Sequence, residues 1–113
     1  MKKIEAIIRP DKFDHVKEAL EKAGYTGVTI TEVEGHGKQK GLAQQWKGFK
    51  YKVEFLPKVK LEIVASDAVT PILVKAIMTS ASTGQVGDGK IFVYNIEEAY
   101  RISSGESGEM TVS

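Results

Sequence analysis

The sequence predicts an α+β fold, in which an antiparallel β-sheet carries two helices on one of its faces. Two observations support this prediction. Apolar residues recur at strand and helix spacing in the order βαββαβ, and a chain of 113 residues fits one domain. We therefore treat residues 1–113 as a single domain. The βαββαβ order is that of the split βαβ arrangement, which is called ferredoxin-like.

Composition and charge exclude several classes of function. The chain has no cysteine, which excludes a disulfide framework and a thiolate metal site. Its formal net charge of +1 provides no global basic field for nucleic acid. The segment Met1–Glu5 lacks the apolar run of a signal peptide, and no apolar stretch is long enough to cross a bilayer. We expect a cytoplasmic protein without direct membrane insertion.

The first half of the pattern is a strand followed by a helix. The strand alternates apolar and polar residues and ends at Pro10, and its apolar positions are Ile4, Ala6 and Ile8. The helix has apolar residues at Phe13, Val16, Ala19, Leu20 and Ala23. Asp11 is a candidate N-cap, and Gly24 is a candidate C-terminal stop.

Three further strands and a second helix follow. The strands are expected at Val28–Val33, Val59–Val64 and Ile91–Tyr94. The helix has apolar residues at Val69, Ile72, Leu73, Ala76 and Ile77. Two positions are possible for the N-cap of this helix. It is either Asp67, or Thr70 with Pro71 in the first helical position. From Ser103 onward the Ser/Gly/Glu-rich tail is expected to be mobile.

The predicted sheet has apolar residues on both of its faces. In the fourth strand these are Ile91 and Val93 on one parity, and Phe92, Tyr94 and Ile96 on the other. Two helices can cover one face only, so the other must meet water or another subunit. Because the chain is so small, this pattern predicts oligomerisation.

A long excursion separates strands two and three, which should otherwise pair as a hairpin. It runs from His36 to Phe55 and contains five lysines against one glutamate, a net charge of +4 with histidine neutral. Loops of this length are uncommon unless they are functional or disordered. Its aromatic residues beside lysines are typical of binding hot spots, and they are Trp46, Phe49 and Tyr51. A solvated basic hairpin tip is the alternative. Binding of single-stranded nucleic acid is disfavoured because no RNA-recognition signature accompanies it.

A glycine-rich loop lies between helix two and strand four, at residues 83–90. Gly84 and Gly89-Lys90 have the G-x-x-x-x-G-K spacing of a P-loop, but Ile91 stands where a Mg²⁺-binding Ser or Thr is required. The order helix–loop–strand is also the reverse of that motif. Glycines still let successive N–H groups turn toward one anion, and Lys90 adds a charge. A tight Asp-Gly turn is the alternative.

No pair of nucleophile and base is apparent in the sequence. His15 lies on the polar side of helix one, and His36 lies at the base of the excursion without an evident partner. We therefore predict that the chain is not an enzyme.

Four separated motifs give the chain a resemblance to the PII family of nitrogen-regulatory signal proteins. They are Met1–Pro10, Gln39–Gly41, Phe55–Lys60, and Thr83-Gly84 with Gly87–Val93, followed by Arg101 and Gly105-Glu106. The resemblance implies ferredoxin-like homotrimers that bind ATP or ADP between subunits. It also implies a T-loop at about residues 37–55, a B-loop at 83–90 and a C-terminal loop at about 102–113.

The same resemblance implies two sets of ligand residues. Those for the nucleotide would be Gly27, Thr29, Gly35, Gly37, Lys38, Gln39, Glu62, Val64, Thr83, Gly87, Asp88, Gly89, Lys90, Arg101 and the position of Ser103. Those for the effector 2-oxoglutarate would be Gly37, Gln39, Lys40, Gly41 and Lys58. Gln39 would also ligate Mg²⁺ that enters with ATP. As alternatives, Gln39 is an ordinary polar loop residue, and Lys58 and Glu62 face solvent.

The resemblance further implies partners and a mode of control. ATP or ADP, together with 2-oxoglutarate, would select among T-loop conformations that dock on an ammonium transporter or on enzymes of nitrogen metabolism. The protein would then be peripheral to the membrane while it is bound to a transporter. The alternative is a nucleotide sensor that serves another pathway without a response to 2-oxoglutarate.

The sequence departs from the family pattern at a few positions. Ser103 stands where many members carry an arginine, which should weaken ATP relative to ADP. Lys38 replaces an arginine on the phosphate side. Lys47 replaces one at the T-loop tip, and Phe49 stands where some members carry a modifiable serine. Tyr51 is retained at the position that some bacteria modify.

Overall fold

A computed structural model describes the backbone of residues 1–40 and 51–111 and the side chains of residues 1–35 and 56–111. In this part of the chain there are four strands and two α-helices. They are β1 (Lys2–Ile8), α1 (Phe13–Lys22), β2 (Thr29–Lys40), β3 (Tyr51–Ala65), α2 (Thr70–Ala81) and β4 (Gly89–Asn95). Short 3-10 turns precede α1 at Pro10–Lys12 and end the described chain at Glu109–Thr111.

The four strands form one antiparallel sheet in the order β2-β3-β1-β4. The strand β1 lies in the centre, with Ile4 opposite Ile63 of β3 on one side and Val93 of β4 on the other. The strands β2 and β4 are therefore the two edges of the sheet. The predicted α+β, ferredoxin-like fold is confirmed.

Both helices pack on one face of the sheet. Alternate residues of β1 and β3 point into this layer, and Val16 and Leu20 of α1 meet Leu73 and Ile77 of α2 above them. The buried strand residues are Ile4, Ala6, Ile8, Val59, Leu61, Ile63 and Ala65. Ile91 packs against this core from β4. The period-two and helical patterns therefore predicted the core face of each element.

The opposite face of the sheet has no helix over it, and we call it the open face. Its residues alternate with the core residues, so that Phe92 and Tyr94 of β4 lie on it beside Glu5 and Lys3 of β1. Phe92 remains 43% exposed and Tyr94 45% exposed in a single chain. The expectation that one parity of β4 lies outside the helix-covered core is thus confirmed.

The two helix starts differ from the predictions. Asp11 is not the N-cap of α1, because Pro10 begins a 3-10 turn in which the Lys12 N–H donates to the Arg9 carbonyl over 3.0 Å. The residue before α1 is Lys12, and its side chain makes no capping hydrogen bond. In α2 neither proposed cap is used. Thr70 is the first helical residue, and the Asp67 carboxylate accepts from the Met1 amine.

The end of α1 is as predicted. Gly24 has φ of +86° and donates to the Glu21 carbonyl, while the N–H of Tyr25 donates to the carbonyl of Leu20. This pair of hydrogen bonds is a Schellman motif, in which a left-handed residue ends the helix. Glycine adopts that conformation without steric cost, so the helix stops there.

Strands β2 and β3 are much longer than predicted. They stay paired up to Lys40 opposite Tyr51, far beyond Ile8, where β1 ends opposite Val59. The paired backbone beyond that point is a two-stranded arm. The β2 side of the arm is rich in glycine and polar residues without apolar alternation, and the short alternation of Tyr51, Val53 and Phe55 on the β3 side lies within the predicted excursion. For this reason the boundaries at Val33 and Val59 were wrong.

The described C-terminal segment is folded back on itself. Tyr100 and Ser107 form an isolated antiparallel bridge, the N–H of Arg101 donates to the Glu106 carbonyl over 2.8 Å, and the N–H of Gly105 donates to the carbonyl of Arg101. Through residue 111 a hydrogen-bonded turn stands where a mobile tail from Ser103 was expected, and mobility itself stays a prediction. The polar composition of this segment reflects a hydrogen-bonded turn that faces solvent.

Candidate functional site

The glycine loop, residues 83–90, contains three glycines in the left-handed region, the last of which begins β4. Gly84, Gly87 and Gly89 have φ of +80°, +99° and +109°. A Cβ on Gly89 would lie 1.7 Å from the carbonyl oxygen of Ile7. Gly89 is therefore required both by its backbone angle and by the close approach of β4 to β1.

The Asp88 carboxylate binds the first residues of this loop. It accepts hydrogen bonds from the N–H of Thr83 over 2.7 Å, from the N–H of Gly84 over 2.9 Å, and from the Thr83 hydroxyl. Burial alone would raise the pKa of Asp88, but these bonds and the Arg9 guanidinium hold that pKa well below its usual range. The loop thus already surrounds one anion, which belongs to the chain itself.

Two cations hold the next part of the loop through its carbonyl groups. The Nη2 of Arg9 donates to the Val86 carbonyl over 2.8 Å, and the Nζ of Lys58 donates to the Gly87 carbonyl over 2.6 Å. In a trans peptide the N–H points opposite to the preceding C=O. The N–H groups of Gly87 and Asp88 therefore point away from these cations. Among the described residues neither N–H has an acceptor.

This arrangement can bind an external anion. Adjacent backbone N–H groups that lack an acceptor form a concave donor site for phosphate or carboxylate. The side chain of Lys90 follows directly, at the start of β4. Of the predicted loop residues, Gly87, Asp88 and Lys90 fit this site through backbone or charge, whereas the Thr83 hydroxyl is occupied by Asp88.

A second set of predicted residues lines a cleft at the other edge of the sheet. Its volume is about 810 Å³, and Gly27, Thr29, Glu62 and Val64 all lie in its wall. Thr111 of the C-terminal segment lies in this wall too. The structure therefore brings together four of the predicted nucleotide residues.

Lys3 forms an ion pair with Glu62, the carboxylate in the wall of this cleft. Its Nζ lies 2.5 Å from Oε2 of Glu62, and Nζ of Lys60 lies 3.9 Å from Oε1 of the same carboxylate. The hydrogen bond from Lys3 lowers the pKa of Glu62. The alternative in which Glu62 merely faces solvent is wrong, because its carboxylate is held in an ion pair.

The glycine loop and the cleft do not meet within one chain. Thr29 lies on β2 and the loop precedes β4, and these are the two edges of the four-stranded sheet. Three strand spacings separate the edges, about 14 Å. The loop also lies at the Ile8 end of β1, whereas Glu62 lies opposite Glu5, about 10 Å farther along the strand.

The arm contributes further predicted residues near its base. A Cβ on Gly35 would lie 2.8 Å from Cγ of Lys58, so this glycine makes room for the lysine. Lys58 is only 8% exposed, which excludes a solvated strand-end lysine. The backbones of Gly37, Lys38, Gln39 and Lys40 lie in β2. The side chains of Lys38, Gln39, Lys40 and Tyr51 lie outside the described set, and Gly41 lies wholly outside the described residues.

Arg101 and Ser103 lie on the folded C-terminal segment. The Arg101 guanidinium lies 3.5 Å from the Glu106 carboxylate and donates to the Met110 carbonyl over 3.3 Å. Ser103 is exposed in the turn that follows Arg101. The hydrogen bonds and ion pairs of the described residues do not join either residue to the glycine loop of its own chain.

Sequence reasoning missed two residues that shape these sites, Arg9 and Lys3. Arg9 follows β1 directly, and strand register places it opposite Asp88 and Lys58, because Ile8 pairs with Gly89 and with Val59. The only available signal was therefore the pairing of charges across predicted antiparallel strands. In the described ranges there is no group of three or more His, Cys, Asp or Glu side chains that could hold a metal ion.

The fold and the site together define an α+β domain with a glycine-rich loop at one sheet edge and a cleft at the other. None of the helices in the described part of the chain has the length and apolar character needed to span a membrane. The profile of the family described as "Nitrogen regulatory protein P-II" matches residues 1–106. The chain belongs to this family.

Curated relatives agree with this assignment. The chain is 58% identical over 108 residues to the nitrogen regulatory protein P-II of Bradyrhizobium diazoefficiens, with 96% of each chain covered. It is 56% identical to the protein of that name from Rhodospirillum rubrum over the same coverage. With that from Pasteurella multocida it shares 54% identity, over 96% of this chain and 97% of the relative. These relatives are named as regulators and not as enzymes.

Proposed function

We propose that this chain is a nitrogen-signalling regulator that binds ATP or ADP in clefts shared between copies of itself. The observation that carries the proposal is the pair of outward-facing N–H groups at Gly87 and Asp88, in a loop whose carbonyl groups are held by Arg9 and Lys58. Family membership supplies the context. A phosphate chain would lie on these N–H groups and Lys90, and the base would lie in the cleft of Thr29, Glu62 and Val64 of a neighbouring copy.

The separation of the two half-sites favours a ring of subunits. The loop edge of one copy and the cleft edge of the next are different surfaces, so their contact would be heterologous. Such contacts close into a ring when the rotation between copies allows it, and a homotrimer would contain three equivalent sites. The exposed aromatics of the open face would be covered in the same assembly.

The effector 2-oxoglutarate would bind beside Mg²⁺-ATP at the base of the arm. Gly37, Gln39, Lys40, Gly41 and Lys58 would contact it, and Gln39 would complete the coordination of Mg²⁺. Mg²⁺ is commonly held by substrate phosphates with few protein ligands, so one amide oxygen suits this role. The arm would then dock on an ammonium transporter or on enzymes of nitrogen metabolism, from the cytoplasm.

The required coupling between ligand and arm is modest. A coupling free energy of ~1–3 kcal/mol changes the affinity for a target 5- to 150-fold. Lys58 supports such coupling because it lies under Gly35 of the arm and binds Gly87 of the loop. A change in the contact of Lys58 with Gly35 would therefore alter its hydrogen bond to Gly87, and the reverse.

Calorimetry tests this proposal. The full chain is titrated with ATP and with ADP, with and without Mg²⁺ and 2-oxoglutarate. We expect nucleotide binding with one site per subunit, and 2-oxoglutarate binding only with Mg²⁺-ATP. Binding of 2-oxoglutarate without nucleotide would contradict the shared site, and rapid ATP turnover would contradict a regulator.

A second candidate is a nucleotide sensor without a response to 2-oxoglutarate. The ammonium of Lys58 already donates to the Gly87 carbonyl, and Ser103 offers no second arginine to the third phosphate. Tight binding of nucleotide together with no binding of 2-oxoglutarate would favour this alternative. Deletion of residues 41–50 should abolish target binding and leave nucleotide binding intact under both candidates.

A further inference from the structure

We propose that the side chains of Arg9 and Asp88 are positioning residues of the phosphate site, which hold the glycine loop open for a ligand that neither side chain touches. The inference rests on the proposed function and adds to it the cause of the loop's conformation. The loop is rich in glycine and would otherwise sample many conformations.

Arg9 makes two contacts that a single planar group can make at once. Its Nε lies 2.9 Å from Oδ1 of Asp88, and its Nη2 lies 2.8 Å from the Val86 carbonyl oxygen. A guanidinium presents its donors in a rigid fork, so the two bonds fix Val86 relative to Asp88. The carbonyl of Val86 is thereby turned toward Arg9, and the N–H of Gly87 is turned away.

Asp88 fixes the other end of the loop. Its carboxylate binds the N–H groups of Thr83 and Gly84, so these donors are not available to a phosphate. The loop is therefore divided into an inner half, Thr83 and Gly84, which binds the internal carboxylate, and an outer half, Gly87 and Asp88, which is left for a ligand. The carboxylate belongs to the structure of the loop, while the N–H of the same residue faces outward.

Two effects of Asp88 on phosphate affinity have opposite signs. Its negative charge repels a phosphate, so that removal of the charge alone would tighten binding. Its hydrogen bonds hold the loop, so that removal of those bonds would weaken binding. Asparagine removes the charge but keeps one acceptor oxygen, and its NH2 group turns a donor toward either Arg9 or the N–H groups of Thr83 and Gly84, so part of these bonds is lost. The direction of change in Asp88→Asn therefore distinguishes a positioning role from simple proximity.

The experiment measures ATP, ADP and adenosine binding by calorimetry for the wild type, Asp88→Asn, Arg9→Met and Arg9→Lys. The matched control is Asp14→Asn, which removes one exposed carboxylate from α1. We expect ATP and ADP affinities to fall about tenfold in Asp88→Asn and Arg9→Met, in line with the loss of a charge-assisted hydrogen bond. Arg9→Lys should lie in between, because an ammonium lacks the rigid fork that spans both acceptors. Adenosine has no phosphate, so its affinity should not change.

Hydrogen exchange gives an independent readout. The N–H groups of Thr83 and Gly84 should exchange faster in Asp88→Asn and Arg9→Met than in the wild type, without ligand. Unchanged ATP affinity in both variants, or tighter binding by Asp88→Asn, would overturn the inference. An equal loss of adenosine affinity would overturn it too, since it would indicate general damage. A wild type that binds no nucleotide would instead overturn the proposed function, and the exchange rates would still report whether these residues hold the loop.

Discussion

The ammonium of Lys58 donates a hydrogen bond to the backbone carbonyl of Gly87 over 2.6 Å, and thereby joins the base of the arm to the glycine loop. Burial, and after it the positive charge of Arg9, lowers the pKa of Lys58 below its usual value of 10.5. The side chain fits because Gly35 has no Cβ. A buried cation with a backbone acceptor is well suited to report on a carboxylate that enters beside it.

Replacement of this lysine should uncouple the loop from the arm. In Lys58→Met the carbonyl of Gly87 loses its donor. We expect the binding free energy of ATP to become less favourable by about 1.5–3 kcal/mol. Binding of 2-oxoglutarate should be lost entirely. Calorimetry measures both, with the exposed Lys17→Met on α1 as the control. Retention of 2-oxoglutarate binding by Lys58→Met would remove this residue from the effector site.

Gly89 should tolerate no side chain. Alanine at this position would face both a φ of +109° and the Ile7 carbonyl 1.7 Å away. Strained backbone of this kind costs about 1–3 kcal/mol, and displacement of the start of β4 would add to it. Urea unfolding of Gly89→Ala should therefore show a clear loss of stability. Gly84→Ala is the comparison: it has a positive φ but open space around its Cβ, so its loss should be smaller.

The loss of folding stability at low pH should depend on Asp88. Folding lowers the pKa of Asp88 from its ordinary value of 3.8. The ionised carboxylate therefore contributes its full share to the free energy of unfolding above about pH 3.8, and this share is lost as the pH falls through the lower pKa of the folded state. Below about pH 4, Asp88→Asn should lose stability less steeply than the wild type. Urea midpoints from pH 6 to pH 2 measure this slope. Parallel slopes for the two proteins would contradict the assignment, and Asp14→Asn should follow the wild type.

The open face should be required for assembly. A charge at Phe92, which is 43% exposed in a single chain, would be buried unpaired if copies meet there. We expect Phe92→Asp to shift a trimer toward monomer in analytical ultracentrifugation. Ile72 is 60% exposed on α2, away from this face, and Ile72→Asp should leave the trimer intact. The same distribution of species in both variants would refute this interface.

Ser103 should limit the affinity for the third phosphate. Ser103→Arg introduces a guanidinium group on the exposed turn after Arg101. We expect the binding free energy of ATP to become more favourable by about 1.5–3 kcal/mol. ADP binding should improve less. Titration of both nucleotides measures the difference, and Ser103→Gln controls for side-chain length without charge. An equal gain for ATP and ADP would indicate a general electrostatic effect.

Local patterns were sufficient for much of the fold. Apolar spacing predicted the identity and order of the four strands and two α-helices in the described part of the chain, and Gly24 predicted the end of α1 correctly. It failed for the arm, where the glycines and lysines predicted a loop although Tyr51, Val53 and Phe55 alternate with polar residues. It also failed for the start of α1, where Pro10 began a 3-10 turn that takes Asp11 out of the capping position.

The sequence by itself determined the class of fold, the family resemblance and the presence of a glycine loop after α2. Only the tertiary structure decided which way that loop faces. Arg9 and Asp88 are 79 residues apart and meet because β1 and β4 pair in one particular register. Likewise, only the strand order placed Thr29 and the glycine loop at opposite edges of the sheet, and this separation supports the proposal that a second copy completes the site. Periodicity is a local property, whereas register and strand order arise from hydrogen bonds between distant segments.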